Sequence, residues 1–398
     1  VNSSRSARSG HLPTLVACFL HFDVSFMLWV LIGALGPFVF DGTHVQAGLK
    51  GLLIGIPVLS GSLLRVPLGM MSDRFGSRRV ALALLTFLFV PLSIAWLATP
   101  TVATLLPVSL MLGAAGASFA VVLPLASRWY PPERQGLVMG IAAAGNSGTV
   151  LANLFAPRLA AAFGWQNVFG LALIPLAGAF VLFALLAREA PSGQQARSLG
   201  EYRAAIAQTD AAWFCAYYCV TFGGYVGLSS FLPVYLHDQF GVAPGVAGSI
   251  TAASAFAGSL ARPIGGYAAD RIGGTRMLQG LFFVIGAAYV GVAGAATLTT
   301  AAGLLLVAMI ALGVGNGVVF QLVPLRFPRE IGLVTGLVGA VGGLGGFLLP
   351  TVMGAMKQTT GSFSPAFLFL ALCAMAAGAA VCVRQWAGAW VAAVADES

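Results

Sequence analysis

The chain has 398 residues, of which 59% are hydrophobic and only 8% charged, with a formal net charge of +8; an ordinary soluble domain runs to roughly 45–50% apolar and about 25% charged. Twenty basic and twelve acidic side chains cannot clothe a water-facing surface of this size, which excludes a soluble globular protein. The 51 glycines lie inside apolar runs without a three-residue period, which excludes a collagen-like or disordered chain.

A helix of about 20 residues crosses a hydrocarbon layer of roughly 30 Å, and twelve fit this length. In chain order the apolar runs predict helices over 13–40, 48–71, 79–98, 101–128, 134–163 and 165–187, then 211–236, 244–269, 275–296, 299–325, 330–356 and 364–386. Turn signals such as Thr99-Pro100, Pro131-Pro132, Gly241 to Pro244 and Gly273-Gly274 separate them. The basic start runs into a helix of spanning length without a small-residue cleavage site, so no cleavable signal peptide is expected. Cys18, Cys215, Cys219, Cys373 and Cys382 lack metal or disulfide spacing and read as small core residues, and the four histidines are scattered. No metal or cofactor is expected, and no enzymatic constellation of nucleophile and base stands out.

The basic residues sort by side of the membrane. Arg5, Arg8, Arg74, Arg78, Arg79, Arg128, Arg134, Arg188, Arg197, Arg203, Arg271, Arg276, Arg326, Arg329 and Arg384 fall at the N-terminus, in the even-to-odd loops and at the C-terminal end, whereas Lys50, Arg158 and Lys357 fall opposite. Fifteen against three predicts both termini in the cytoplasm, by the excess of basic residues in cytoplasmic loops. The charge of +8 is then largely an orientation signal, and nucleic-acid binding loses its support.

The polar stretch 188–210 reads as a cytoplasmic linker between six-helix bundles over 11–187 and 211–386. The segment Gly61 to Arg79 aligns without gaps to Gly258 to Arg276, with nine of nineteen positions identical at an offset of 197. Gly136-Leu-Val-Met-Gly140 has a further echo in Gly332-Leu-Val-Thr-Gly336. The expected fold is an all-α membrane protein of twelve transmembrane helices in two pseudo-symmetric six-helix bundles, with a substrate site between them.

Two basic residues remain. Arg65 and Arg262 occupy equivalent repeat positions, each about six residues inside its helix end, roughly 9 Å deep at 1.5 Å per residue. A membrane-buried arginine costs at least about 2.5–3.5 kcal/mol on the insertion scale. Snorkelling would relieve that cost for one; two that meet on the pseudo-twofold axis suit an anion clamp, because each guanidinium is a permanently charged planar fork of donors. Asn146 is an amide within an apolar helix that either donates to an anion or bonds a neighbouring helix. Asp23 lies roughly 15 Å deep, near the midplane. It reads as a partner for a buried arginine, a neutral buried acid or a proton carrier. Asp73, Arg74 and Arg79, with Asp270, Arg271 and Arg276, place charges at two equivalent turns and read as ion pairs that latch the halves in one state, a cytoplasmic gate.

Four segments together resemble the nitrate/nitrite porter family of the major facilitator superfamily: Gly61-Ser-Leu-Leu-Arg65, Ala144-Gly-Asn146-Ser-Gly148, Gly315-Asn316-Gly317-Val-Val-Phe320-Gln321 and Gly339-Ala-Val-Gly342-Gly343-Leu-Gly345-Gly346-Phe347. The resemblance spans about 11–386 and implies the major facilitator fold. It implies Arg65 and Arg262 as paired nitrate-binding arginines and Asn146 as the amide of the helix 5 motif. It also implies Phe119, Tyr218 and Phe222 as aromatic walls and Gly342 as part of the helix 11 glycine motif. Thr275 stands where the first loop motif has Arg78, so the second latch is expected to be the weaker.

Bringing an anion into a cell works against an inside-negative potential, at about 2.3 kcal/mol per charge per 100 mV. Helix 1, Phe22-Asp23-Val-Ser-Phe-Met-Leu-Trp29, resembles the branch of the family regarded as proton symporters. The function expected is therefore proton-coupled nitrate uptake, with nitrite a possible second substrate, across the cytoplasmic membrane. Nitrate/nitrite antiport is the alternative; a carrier of another small anion and a non-transporting nitrate sensor are further ones. The expected partners are nitrate or nitrite, protons and the lipid bilayer, for a chain that acts as a monomer.

Overall fold

The computed structural model describes residues 10–40, 45–99, 101–130, 138, 141–142, 144–189, 200, 207–327 and 331–386. Arg5, Arg8, Arg134, Arg197, Arg203, Arg329, the Gly136–Gly140 echo and most of the 188–210 segment lie outside them. The described residues form α1 (Leu12–Phe40), α2 (Ala47–Phe75), α3 (Ser77–Leu97), α4 (Val102–Ser127), α5 (Gly148–Phe163) and α6 (Trp165–Leu186). After the gap come α7 (Thr209–Phe240), α8 (Pro244–Ile272), α9 (Gly274–Ala293), α10 (Leu298–Arg326), α11 (Ile331–Thr360) and α12 (Ser364–Trp386). The twelve predicted helices are all present.

Ten of them are long and apolar enough to cross a membrane. The other two have physical reasons to fall short. α5 is described over 16 residues, and α8 carries Ser249, Thr251, Ser254, Ser259, Arg262, Asp270 and Arg271. Pro13 opens α1, where its missing N–H costs nothing, and the His11 ring accepts the Thr14 N–H at 3.1 Å. Gly76 and Gly273, equivalent in the repeat, both close one helix and open the next at φ 98° and 95°. A side chain is strained there, so the duplication extends to the turn geometry itself.

Burial sorts the helices into the same order in both halves. Of the most apolar window, 78% is buried in α1 and 89% in α7, against 33% in α6 and in α12. The α1–α7 pair therefore forms the axis, while α3, α6, α9 and α12 turn apolar faces outward, with Leu97, Ile174, Leu185, Leu372 and Val383 exposed. Glycines let the inner helices touch. A Cβ on Gly51 would strike the backbone of α11 at Pro350 and Gly354, and one on Gly33 would strike Ser230 of α7.

The end bearing the Gly76 and Gly273 turns is called here the motif end, and its opposite the far end. Among the described residues, the hydrogen bonds between α1–α6 and α7–α12 lie at the far end or at mid-depth. At the far end Gly48 N–H and Gln46 bond Gln358 at 2.9 and 2.8 Å, Lys50 pairs with Asp238 at 3.1 Å, and Arg158 donates to Ser249 at 2.8 Å.

Candidate functional site

Arg65 leaves α2 at mid-depth and is 3% exposed. Two backbone carbonyls hold its fork. Nε donates to Gly116 O at 3.1 Å, and Nη1 donates to Gly339 O on α11, across the two halves. Gly116 belongs to a 3-10 stretch, Gly113–Ala117, that interrupts α4. Glycine at 116 is required, because a Cβ there would enter the Trp29 ring. Nη2 has no partner among the described residues. Around the guanidinium carbon stand Trp29, Phe119 and Phe222, at 5.6, 5.3 and 5.2 Å from their ring centres.

Arg262 reaches the same place from α8. Its Nη2 donates to the Tyr218 hydroxyl at 3.1 Å, and its guanidinium lies 5.2 Å from the Phe320 ring centre. Tyr218 stacks on Phe222 at 4.9 Å with ring planes 4° apart, and Phe320 closes the wall edge-on to Tyr218 at 4.8 Å and stacked on Phe119 at 6.4 Å. Gly342 of α11 backs the Tyr218 ring so closely that a Cβ would overlap it. Arg65, Phe119, Tyr218, Phe222, Arg262 and Gly342 thus form one contiguous cluster.

Trp29, Phe320, Gly116 and Gly339 complete the cluster beyond the residues singled out from the sequence. Trp29 and Phe320 stand within the quoted motifs and carried an aromatic signal. A backbone carbonyl that accepts from an arginine has no sequence signal at all.

Asn146 is buried, but in a 3-10 turn, Ala144–Ser147, ahead of α5 rather than within an α-helix. That turn packs on α1: Gly145 faces Phe22, whose ring lies 5.9 Å from Phe119. Asp23 belongs to the same contact, accepting from the Ser147 hydroxyl at 2.5 Å while its backbone abuts Gly148. Among the described residues no ion pair joins Asp23 to an arginine. His21 bonds Ala81 O and Ser25 and packs on Phe183.

The charged turns bond within their own halves. Asp73 pairs with Arg128 at 2.8 Å, and Asp270 accepts from Gln321 at 2.8 Å. Arg74 lies over Phe75 and Arg271 over Tyr267, while Arg79 and Arg276 are exposed. Among the described residues, neither acid bonds a group of the opposite half.

The electrostatics are one-sided. The ion pairs of the described residues join Lys50 to Asp238, Arg128 to Asp73, and Arg326 and Arg384 to Asp210. None involves Arg65 or Arg262. A buried cation without a counter-charge costs several kcal/mol, and two facing cations add mutual repulsion. Aromatic faces and carbonyls offset part of that cost.

Comparison with known proteins places this architecture. Residues 17–350 match the model of the Major Facilitator Superfamily. The chain belongs to that superfamily. Within it, the chain is 33% identical over 369 residues to the "Nitrite extrusion protein" of Bacillus subtilis strain 168, covering 92% of this chain and 93% of that protein. It is 35% identical over 355 residues to the "Probable nitrate/nitrite transporter NarK2" of Mycobacterium tuberculosis strain H37Rv, covering 87% and 89%. These relatives put the chain in the nitrate/nitrite porter branch that its motifs resemble. Among solved structures, a bacterial homolog of the human lysosomal transporter Spinster, inward-facing and unoccupied, superposes with a TM-score of 0.71 at 19% identity, over 96% of each chain. That likeness carries the major facilitator fold, and the chain is a multi-pass membrane protein.

Proposed function

We propose that the protein takes up nitrate across the cytoplasmic membrane, with both termini in the cytoplasm, by alternating exposure of the Arg65–Arg262 site. The observation that carries this reading is the pair of arginines at equivalent repeat positions, walled by rings, without a carboxylate on either. A planar trigonal anion fits edge-on between guanidinium forks and lies flat against Phe119, Tyr218 and Phe222. Arg65 keeps Nη2 unpartnered, and Arg262 spends one donor on Tyr218. The relatives, among them nitrate and nitrite transporters, support the same substrate class.

An anion between the two cations replaces repulsion by attraction. It draws 11–187 and 211–386 together at the site and lowers the barrier to exchanging one opening for the other. The charged turns at the motif end form the second closure once the far end opens.

Uptake needs coupling against the membrane potential. Asp23 suits proton carriage because it is buried, faces a neutral hydroxyl rather than a cation, and packs against the turn that carries Asn146. With two protons per nitrate, net positive charge moves inward. Purified protein in proteoliposomes tests the whole reading: an inward proton gradient should drive nitrate accumulation, and Asp23→Asn should abolish that drive while nitrate binding persists. If nitrite loaded inside the vesicles drives nitrate uptake without a proton gradient, and Asp23→Asn leaves the flux intact, the mode is antiport.

A further inference from the structure

From the turn that carries Asn146, a ladder of polar groups continues along α5 toward the far end. Thr149 Oγ1 donates to Asn146 O at 2.9 Å, and Asn153 Nδ2 donates to Thr149 O at 2.8 Å. The same amide nitrogen also donates to Ser229 O on α7 at 3.0 Å, across the halves. Asn153 is 0% exposed, and its Oδ1 has no partner among the described residues.

Two prolines explain why carbonyls are available there. In an α-helix the carbonyl of residue i accepts from the N–H of i+4. Four residues after Ser229 stands Pro233, and four after Asn153 stands Pro157, both inside their helices and both without an N–H. Each half therefore presents one freed carbonyl at the seam. Asn153 Nδ2 takes the first, and Gly248 of α8 lies against the second so tightly that a Cβ would collide with Asn153 O. A single residue thus touches both α7 and α8 of the opposite half.

We propose that Asn153 is the buried lock of the α5–α7–α8 seam, a positioning residue that ties closure of the far end to the turn carrying Asn146. Nδ2 can let go of Ser229 O while it keeps Thr149 O. The lock therefore opens at the expense of one hydrogen bond and leaves α5 intact. The link to the turn rests on the proposed anion site, since an anion that draws the halves together favours the locked seam.

Hydrogen–deuterium exchange on the full chain in lipid nanodiscs, with and without nitrate, tests it. In ligand-free Asn153→Ala, exchange in α7 and α8 beyond Ser229 and Gly248 should rise roughly threefold to twentyfold, the span expected for one membrane-buried hydrogen bond. The peptides of α9 and α12 should stay unchanged. Gly248→Ala, which wedges the same seam open by bulk, should give the same pattern. Nitrate should slow far-end exchange in the wild type and lose that effect in Asn153→Ala, with its affinity weakened by no more than the same factor, by linkage. Wild-type exchange rates in Asn153→Ala, or a rise spread over all helices, would overturn the lock. An undiminished nitrate response in that variant would overturn the tie to the turn. If the wild type binds no nitrate, the site reading fails, and the ligand-free comparison still decides the lock.

Discussion

Arg65 is oriented by the backbone. Its fork is held by carbonyls of Gly116 and Gly339, and rings press on its faces, so one rotamer is fixed with Nη2 left over. Lysine brings the charge without the fork. Arg65→Lys should therefore cut nitrate flux by at least about tenfold, the loss of one charge-assisted hydrogen bond, while thermal unfolding in detergent shows an intact fold. Near-normal flux in both Arg65→Lys and Arg262→Lys would defeat the clamp. Gly342→Ala should displace Tyr218 from Arg262 and weaken nitrate binding in a direct calorimetric titration. The arginines were legible in the sequence because charge is scarce: eighteen of twenty basic residues had a topological use, and two did not. The carbonyls that aim Arg65 were not legible, since every residue has one and only the tertiary approach of α4 and α11 selects them.

Helices, as elements, were readable from apolar run length and turn residues, and the predicted starts and ends of α4, α6 and α12 fall within two residues of the observed ones. What the sequence concealed were the breaks: the 3-10 stretch at Gly113–Ala117 and the turn at Ala144–Ser147, both beside the candidate site. Glycines mark both, with Asn146 and Ser147 in the second, but glycines run throughout the helices of this chain and so do not single out a break. The glycine runs were likewise ambiguous, because packing need and spare space look alike in one dimension. The structure separates them. A Cβ on Gly313 would collide with Gly258 O of α8, whereas one on Gly336 would meet nothing within 4 Å. Gly313→Ala should thus cost about 1–3 kcal/mol, as overpacking does. Gly336→Ala should leave stability equal or raise it by up to about 1 kcal/mol, alanine being the better helix former. Melting temperatures of the two variants in the same detergent check this.

At the scale of the whole molecule, the repeat was legible from one nineteen-residue alignment, and Gly76 and Gly273 carry it into matching backbone angles. The conformation was not legible, because one sequence must encode both closures. The far end carries an ion pair between the halves, Lys50 with Asp238, partly exposed at 19% and 22%. Such a pair contributes about 0.2–1 kcal/mol. Lys50→Ala should shift the opening equilibrium by up to about fivefold, seen as faster far-end exchange. The swap Lys50→Asp with Asp238→Lys should restore the slow rate. Raising the salt concentration should shrink the difference, since the screening length falls from about 8 Å at physiological ionic strength to roughly 3 Å at 1 M.

The dryness of Arg65 also bears on selection among anions. Its guanidinium is already stripped of water before any ligand arrives, with carbonyls and rings in place of a hydration shell. Competing ions then differ mainly in what it costs to shed their own water. Weakly hydrated, delocalised oxyanions lose little, whereas compact or doubly charged ones such as fluoride and sulfate lose a great deal. Inhibition of flux by a panel of salts at equal ionic strength should follow this dehydration order rather than charge or size alone, a filter set by solvent as much as by shape.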